Sequence, residues 1–405
     1  MPSFKSVFTL AVVVSAMGFF VDVYDLLLFA IIRKDSLSGL GLSPEEVLSQ
    51  GEMLISVQMA GLLLGGVLFG IIGDKKGRLS VLFGSILLYS VANLLNGMVQ
   101  TIPQYALLRF LAGVGLAGEL GAGLTLVSEQ LSKEQRSLAT GLIAGFGVLG
   151  AVFAFFVKQF FDWRMCFYIG GGMGLLLLLL RVQVLESGLF QQSRQANVQH
   201  GNFLMFFNNR ERFVKYIQCV IIGLPVWYII GVLVTFSDQF AAAMRIEGVE
   251  PAKAIMYLYL AIGAGDLAVG WLSEYLKSRR SAFFIFLSIT VLFVILFFNS
   301  AGKSANWLYA VCAGMGSGAG FNVVYMTMAV EQFGTNLRAS AAISIPNMVR
   351  GALPLILLIF RWIREWTGHY LIGAALTGAL LFGAAIWAAL NMQETHGKDL
   401  DFLEH

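Results

Sequence analysis

Charge is what this sequence has least of. Of its 405 residues, 58% are hydrophobic and only 13% are charged, where a soluble domain carries about a quarter. The mean hydropathy is +0.77, and this balance excludes an ordinary soluble domain. Cysteine is scarce as well: Cys166, Cys219 and Cys312 stand alone in apolar runs without metal-ligand spacing and read as packing residues. A catalytic constellation, a nucleotide-binding loop and a metal cluster are all missing, which points away from an enzyme and leaves no cofactor to expect. The net charge of +3 is spread over short polar segments, so nothing in it calls for a nucleic acid.

What is present is a series of apolar runs, each long enough to cross a hydrocarbon core of about 30 Å. Twelve spans are placed near 7–32, 50–73, 79–99, 104–130, 136–159, 165–184, 214–243, 252–276, 281–299, 305–331, 338–363 and 369–391. Backbone groups in lipid must be hydrogen-bonded internally, and these runs lack the alternation of barrel strands, so the expected fold is an all-α membrane protein with twelve transmembrane helices. Lys5 ahead of the first run is read as the flank of an uncleaved first helix. With both termini cytoplasmic, and span ends counted with the segments they adjoin, the inside holds 16 Lys or Arg, the outside 9 and the spans 2. That meets the positive-inside rule.

The longest loop divides the chain into an N-terminal bundle over 1–184, a cytoplasmic linker over 185–213, a C-terminal bundle over 214–392 and a tail over 393–405. The halves echo each other. After span two stands "GIIGDKKGR", and 200 residues later, after span eight, "GWLSEYLKSRR"; after span four stands "EQLSKEQRS", and 202 residues later, after span ten, "EQFGTNLRA". Two echoes at nearly one offset indicate two pseudo-symmetric six-helix bundles, an arrangement found in transporters.

"GIIGDKKGR" resembles the GxxxD(R/K)xGR signature of the major facilitator superfamily. The resemblance covers the whole chain and implies that this loop is a conformational latch at the cytoplasmic side. Gly70, Asp74, Gly77, Arg78, Glu129 and Arg136 would serve it in the first half, and Glu274, Glu331 and Arg338 in the second. Span four, "RFLAGVGLAGELGAGLTLVSE", is similar to the RxxxGxGxGGE helix of sugar-porter-like and metabolite:proton symporters, with Arg109 and Glu119 at its charged positions. "VLESGLF" and the tail "QETHGKDLDFLE" resemble elements of the same group. Span seven lacks the Gln- and Asn-rich pattern of hexose porters, and span five lacks the GPxxGG signature of drug:proton antiporters. What remains resembles the metabolite:proton and aromatic-acid:proton symporters, whose first span carries a "YD" like Tyr24 and Asp25. Such carriers work as monomers in a bilayer, and the short loops suggest a bacterial inner membrane.

A charge at mid-bilayer costs about 2.5–3.5 kcal/mol on insertion scales and is kept where it faces a cavity or a partner. Asp22 and Asp25, three residues apart, share one face of span one. The resemblance assigns Asp25 the coupled proton and Arg109 its pairing, with Asp22 a second carrier or a substrate contact; a static buried ion pair is the other reading of the couple. Glu119 faces either a substrate cavity or a structural partner. Asp266, in "GAGDLAVG", makes either a structural hydrogen bond or part of the transport chemistry. Arg350 lies between Pro346 and Pro354, with no acidic residue in its own span, and its guanidinium suits a carboxylate. Gln58, Trp227, Tyr228, Asn322, Tyr325 and Asn347 complete the candidate cavity lining. "YSVANLLNG" in span three carries no functional reading. The sum is a carrier importing a small organic anion or zwitterion with a proton; an exporter, a carrier of a bulkier polycarboxylate such as a siderophore, and an uncoupled facilitator are the alternatives.

Overall fold

The computed structural model describes residues 10–76, 78–118, 133–186 and 203–397. Their helices follow the apolar runs in order: α1 Leu10–Gly39, α2 Pro44–Lys76, α3 Arg78–Asn96, α4 Ile102–Leu116, α5 Lys133–Phe160 and α6 Trp163–Glu186. Next come α7 Arg210–Tyr228, α8 Pro251–Leu276, α9 Arg279–Phe298, α10a Ala305–Ala319, α10b Phe321–Glu331, α11a Thr335–Gly351, α11b Leu353–Thr367 and α12 Tyr370–Asn391. Among the described residues there is no strand, and nine helices are long and apolar enough to cross a membrane, with α3 and α4 as shorter apolar helices.

Local chemistry sets the helix ends. Ser43 and Glu46 form a reciprocal capping box at the start of α2: the Ser43 amide donates to the Glu46 carboxylate at 2.8 Å, and the Glu46 amide to the Ser43 hydroxyl at 3.4 Å. Thr101, Asn209, Ser278 and Ser304 cap α4, α7, α9 and α10a through their side-chain oxygens. Lys277 closes α8 in the left-handed conformation, as Gly368 closes α11b.

Three helices depart from regular geometry. Pro225 has no N–H to donate, and α7 passes beyond it into a π-helical stretch, Ile229–Val234, before a short helix Ser237–Ala243. The tenth span is broken at Gly320. In the eleventh, Pro346 is accommodated inside α11a and the break falls at Ala352, so that Pro354 enters in the first turn of α11b, where its missing N–H is harmless.

The chain divides into two compact units, Met1–Phe203 and Leu204–His405. Residues 187–202 of the expected linker lie outside the described residues; after them a 3-10 turn, Phe203–Phe206, buries Phe206 against Tyr216 and Phe333, with ring centroids 4.8 and 5.1 Å apart. In the first unit α1 packs on α5 and α6, α2 on α4, and α3 on α4 and α6. In the second, α7 packs on α12 and α11a, α8 on α10a, and α9 on α10a.

These pairs repeat in detail. A Cβ on Gly113 would strike the carbonyl oxygen of Gln58, and one on Gly65 that of Val114; in the second unit Gly316 stands in the same way against Leu258, and Gly265 against Ser317. The backbones of α2 and α4, and of α8 and α10a, touch because small residues meet there. In lipid, where apolar side chains gain little by leaving the solvent, such close approach is what drives helices together.

Candidate functional site

Among the described residues of the first unit, the charges of α1 and α4 singled out from the sequence gather in one cluster. Asp22 and Asp25 on α1, Gln58 on α2, Asn93 on α3 and Arg109 on α4 are all buried. The Arg109 guanidinium donates from Nη2 to Asn93 Oδ1 at 2.7 Å and from Nη1 to Gln58 Oε1 at 3.4 Å, and its Cζ lies 4.9 Å from the Phe167 ring centroid. Gln58 in turn donates to the Leu26 carbonyl at 3.5 Å, tying α2 to the turn of α1 that follows Asp25. Arg109 is thus held by two neutral amide oxygens and an aromatic face. A planar guanidinium with five donors is suited to such divided attachment.

Asp25 is placed differently. Among the described residues neither of its oxygens reaches a partner in hydrogen-bond geometry; Arg109 and Asp22 act on it through their charges, and the Asn93 side chain as a nearby hydrogen-bonding group. Its carboxyl lies against α6 at Gly170, where a Cβ would collide with Oδ1. Next to it, Tyr24 donates its hydroxyl to the Cys166 carbonyl at 2.8 Å and locks α1 to α6. A buried carboxylate without a hydrogen bond carries a penalty of several kcal/mol that a proton or a cationic group relieves. The two groups able to do so here are a bound proton and Arg109, which is engaged elsewhere.

Asn93 is the residue that sequence reasoning missed. It lies in the stretch "YSVANLLNG" that carried no functional reading, yet it supplies the shortest hydrogen bond to Arg109. The signal that could have found it is the one applied to the charges: a polar side chain in the middle of an apolar span needs a partner.

In the second unit Trp227 on α7, Tyr325 on α10b, and Asn347 and Arg350 on α11a are buried, and Asn322 is half-buried. The Arg350 Cζ lies 6.0 Å from the Trp227 ring centroid, Tyr325 is within its electrostatic reach, and Gly223 lets the Tyr325 ring and Val349 close on α7. Tyr228 is set apart from this group: its hydroxyl donates to the Ala374 carbonyl at 2.7 Å and ties α7 to α12. A cavity of about 640 Å³ opens at the start of α7 among Arg210, Lys215, Gln218, Gln332 and Gln393, and none of the candidate site residues lines it.

Of the gating candidates, Glu274 and Glu331 meet on one residue. Arg279 pairs with Glu274 at 2.6 Å and with Glu331 at 3.7 Å, while Arg338 donates to the Phe333 carbonyl at 3.3 Å. The tail joins this network: Thr395 donates its hydroxyl to Glu331, and Glu394 accepts from the Ser278 hydroxyl and from the Arg279 and Arg280 amides. Partial burial works against the ionised form of Glu394, but the hydrogen bonds from Ser278, His396, Arg280 and Arg279 together bring its pKa down to about 2. Gly77, Glu119 and Glu129 lie outside the described residues, as do the side chains at Gly70, Asp74, Arg78 and Arg136.

The Major Facilitator Superfamily profile matches residues 7–358. The niacin transporter of Acinetobacter baylyi is 24% identical, over 99% of this chain and 97% of its own length. The cis,cis-muconate transport protein of the same organism is 25% identical, over 84% of this chain and 85% of its own. Among solved structures, a proton:xylose symporter of the superfamily with a bromodeoxyglucose bound superposes with a TM-score of 0.70 at 15% identity, over 98% of each chain. At that identity the likeness concerns the fold.

Proposed function

The chain belongs to the Major Facilitator Superfamily, a membrane transporter of small molecules and not an enzyme, and from that premise we propose that it imports a small organic anion or zwitterionic metabolite by proton symport with alternating access. One observation carries the proton: Asp25 is buried with no hydrogen bond among the described residues, beside an Arg109 that Asn93 and Gln58 hold. Protonation completes Asp25 in this arrangement. When the proton leaves, the carboxylate competes with the two amides for Arg109, and the exchange of that guanidinium between acceptors links α1 to α3 and α4. Asp22, on the same face of α1, tunes the exchange or contacts the substrate.

The anionic substrate is supported from the other unit. Arg350 beside Trp227 and Tyr325 offers a guanidinium and an aromatic face to a carboxylate on a small planar body, with Asn322 and Asn347 as further polar contacts. The niacin and cis,cis-muconate carriers among its relatives are named for carboxylic acids. In this reading Gly70, Asp74, Gly77, Arg78, Glu129, Arg136, Glu274, Glu331 and Arg338 gate the cytoplasmic side, and Glu119 lines the path of the substrate. The working unit is a monomer in a bacterial inner membrane with both termini cytoplasmic, built as bundles over 1–184 and 214–392 with the linker between them.

Reconstituted vesicles of known orientation test this. With an inward proton gradient, uptake of labelled nicotinate or muconate is expected to exceed that without one, and Asp25→Asn is expected to remove the difference. Equal uptake with and without the gradient in the wild type would overturn the coupling, and no uptake of any carboxylate would overturn the substrate class.

A further inference from the structure

A second intramembrane carboxylate stands where the coupling cluster has no counterpart. Asp266 is deep in α8, with about 15 Å of helix between it and Leu276 at ~1.5 Å per residue. It falls on the inward face with Ile262, Gly265, Val269 and Ser273, all buried, while Leu267 and Trp271 on the other side are 63% and 69% exposed. Its surroundings are backbone: Gly265 lies against the Ser317 carbonyl, and a Cβ on Gly320 would strike the peptide that joins Gly265 to Asp266. Asp266 is 9% exposed, and its Oδ1 has no hydrogen-bond partner among the described residues.

Among the described residues no charge answers it either. On the facing α10a the titratable groups are Tyr309 and Cys312. On α9 they are Arg279 and Arg280, at the cytoplasmic end; on α10b they are Tyr325 and Glu331; the π-helical stretch of α7 has none, and the short helix after it has Asp238. None of these acts on Asp266 electrostatically. The repeat shows how this site differs from the first. The glycine contacts align Gly65 with Gly265 and Gly113 with Gly316, so that Asp266 corresponds to Gly66, and Arg109 to Cys312. Asp266 is therefore not a second copy of Asp25, and it has no arginine companion at the repeat position.

We infer that Asp266 is a second proton-binding carboxylate, housed in the C-terminal unit and completed by a proton alone. The step is the addition of a proton to one carboxylate oxygen and its return to water, with no other bond made or broken. A lone carboxylate in a tight helix contact has no internal donor or cation to turn to, whereas Asp25 has Arg109. The carrier then holds two exchangeable protons of different kinds, one in competition with a guanidinium and one with water. The inference deepens the symport reading, but proton binding at Asp266 can be measured without any substrate.

Infrared difference spectra of the purified, reconstituted carrier, recorded as the pH is stepped, provide the test. Asp266→Asn is expected to remove a protonated-carboxyl C=O band that Asp25→Asn leaves in place, and Asp266→Glu to keep a band at a displaced frequency. Superimposable spectra of wild type and Asp266→Asn across the range would overturn the inference. If Asp266→Asn does not fold, Asp266→Glu decides it, since an unmoved set of bands gives the same refutation. Loss of gradient-driven uptake in Asp25→Asn with no spectral change in Asp266→Asn would sink this site alone and leave the symport reading intact. A band lost in Asp266→Asn while wild-type uptake is the same with and without the gradient would do the reverse.

Discussion

The two units share a frame and differ in what fills it. Tyr24 ties α1 to the Cys166 carbonyl on α6, and Tyr228 ties α7 to the Ala374 carbonyl on α12. Beside each tyrosine the facing helix carries a glycine, Gly170 in one case and Gly378 in the other, and Gly115 meets Tyr89 as Gly318 meets Thr290. Carried along these correspondences, Asp22, Asp25, Gln58, Asn93 and Arg109 of the first unit align with Val226, Ile229, Leu258, Val294 and Cys312 of the second, and every one of the latter is buried. Backbone contacts between small residues therefore fix the geometry in both units, while the side chains at equivalent positions decide whether a bundle centre is ionic or apolar. Among the described residues the first unit bears the desolvation of a charged cluster at its centre, and the second places Arg350 and Asp266 elsewhere.

The largest expected effect comes from removing the charge at the centre of the first unit. Arg109→Leu removes the cation that acts on Asp25 and strands the Asn93 and Gln58 amides that hold it, a change of about 3–5 kcal/mol by the measure of a buried charge losing its counterpart. Thermal unfolding in detergent is expected to drop accordingly and gradient-driven uptake to vanish. Replacing the whole cluster by its apolar counterparts, with Asp22→Val, Asp25→Ile, Gln58→Leu, Asn93→Val and Arg109→Cys together, is expected to restore the stability that Arg109→Leu loses, because apolar packing substitutes well for a complete ionic set, and still to transport nothing. A combined variant less stable than Arg109→Leu would break the equivalence of the frames.

Asn93→Ala ranks next. Hydrogen bonds to charged groups contribute about 1.5–3 kcal/mol, and its loss frees Arg109 to turn toward Asp25. The pH profile of uptake is expected to move in this variant, where a merely structural asparagine would lower stability and leave the profile in place. Gly113→Val and Gly316→Val sharpen the comparison from the other side. Each drives a side chain into a facing carbonyl, overpacking that costs about 1–3 kcal/mol, and similar losses of melting temperature in the two variants are expected if the contacts are equivalent.

The smallest effect belongs to the tail network around Arg279. Glu394 has a folded-state pKa of about 2 against an ordinary value of 4.5. A group depressed in this way stabilises the fold fully above its unfolded value and loses that contribution as the pH falls from about 4.5 toward about 2. Glu394→Gln is expected to lower the melting temperature slightly at neutral pH and to flatten its decline over that acid window; an unchanged acid profile would show that the tail contributes nothing there.

How far each feature was legible follows from how local its cause is. The apolar runs give the helices because each run must satisfy its own backbone in lipid, and the paired loop sequences give the two halves because a duplicated frame keeps its connections. Asp25 and Arg109 stood out because charges are costly in an apolar span. Asn93 did not, since an amide is a weaker anomaly and its role depends on a guanidinium sixteen residues away on the next helix. The π-helical stretch after Pro225 and the break at Ala352, rather than at Pro346, depend on how α7 and α11a pack, and packing is not written in hydropathy. Tyr228, grouped by sequence with the cavity lining, is a tie between helices because Ala374 presents its carbonyl at the right height.

The sequence by itself determined that this chain lives in a membrane, that it crosses as helices in two related halves, and which few residues carry charge there, since each of these follows from the transfer cost of a residue or the period of a run. Only the tertiary structure decided what those charges meet: Arg109 resting on Asn93 and Gln58, Asp25 and the Asp266 Oδ1 left without a hydrogen bond among the described residues, Glu274 and Glu331 gathered on Arg279. Those outcomes turn on distances of a few ångströms between helices far apart in the chain, set by where glycines let backbones touch.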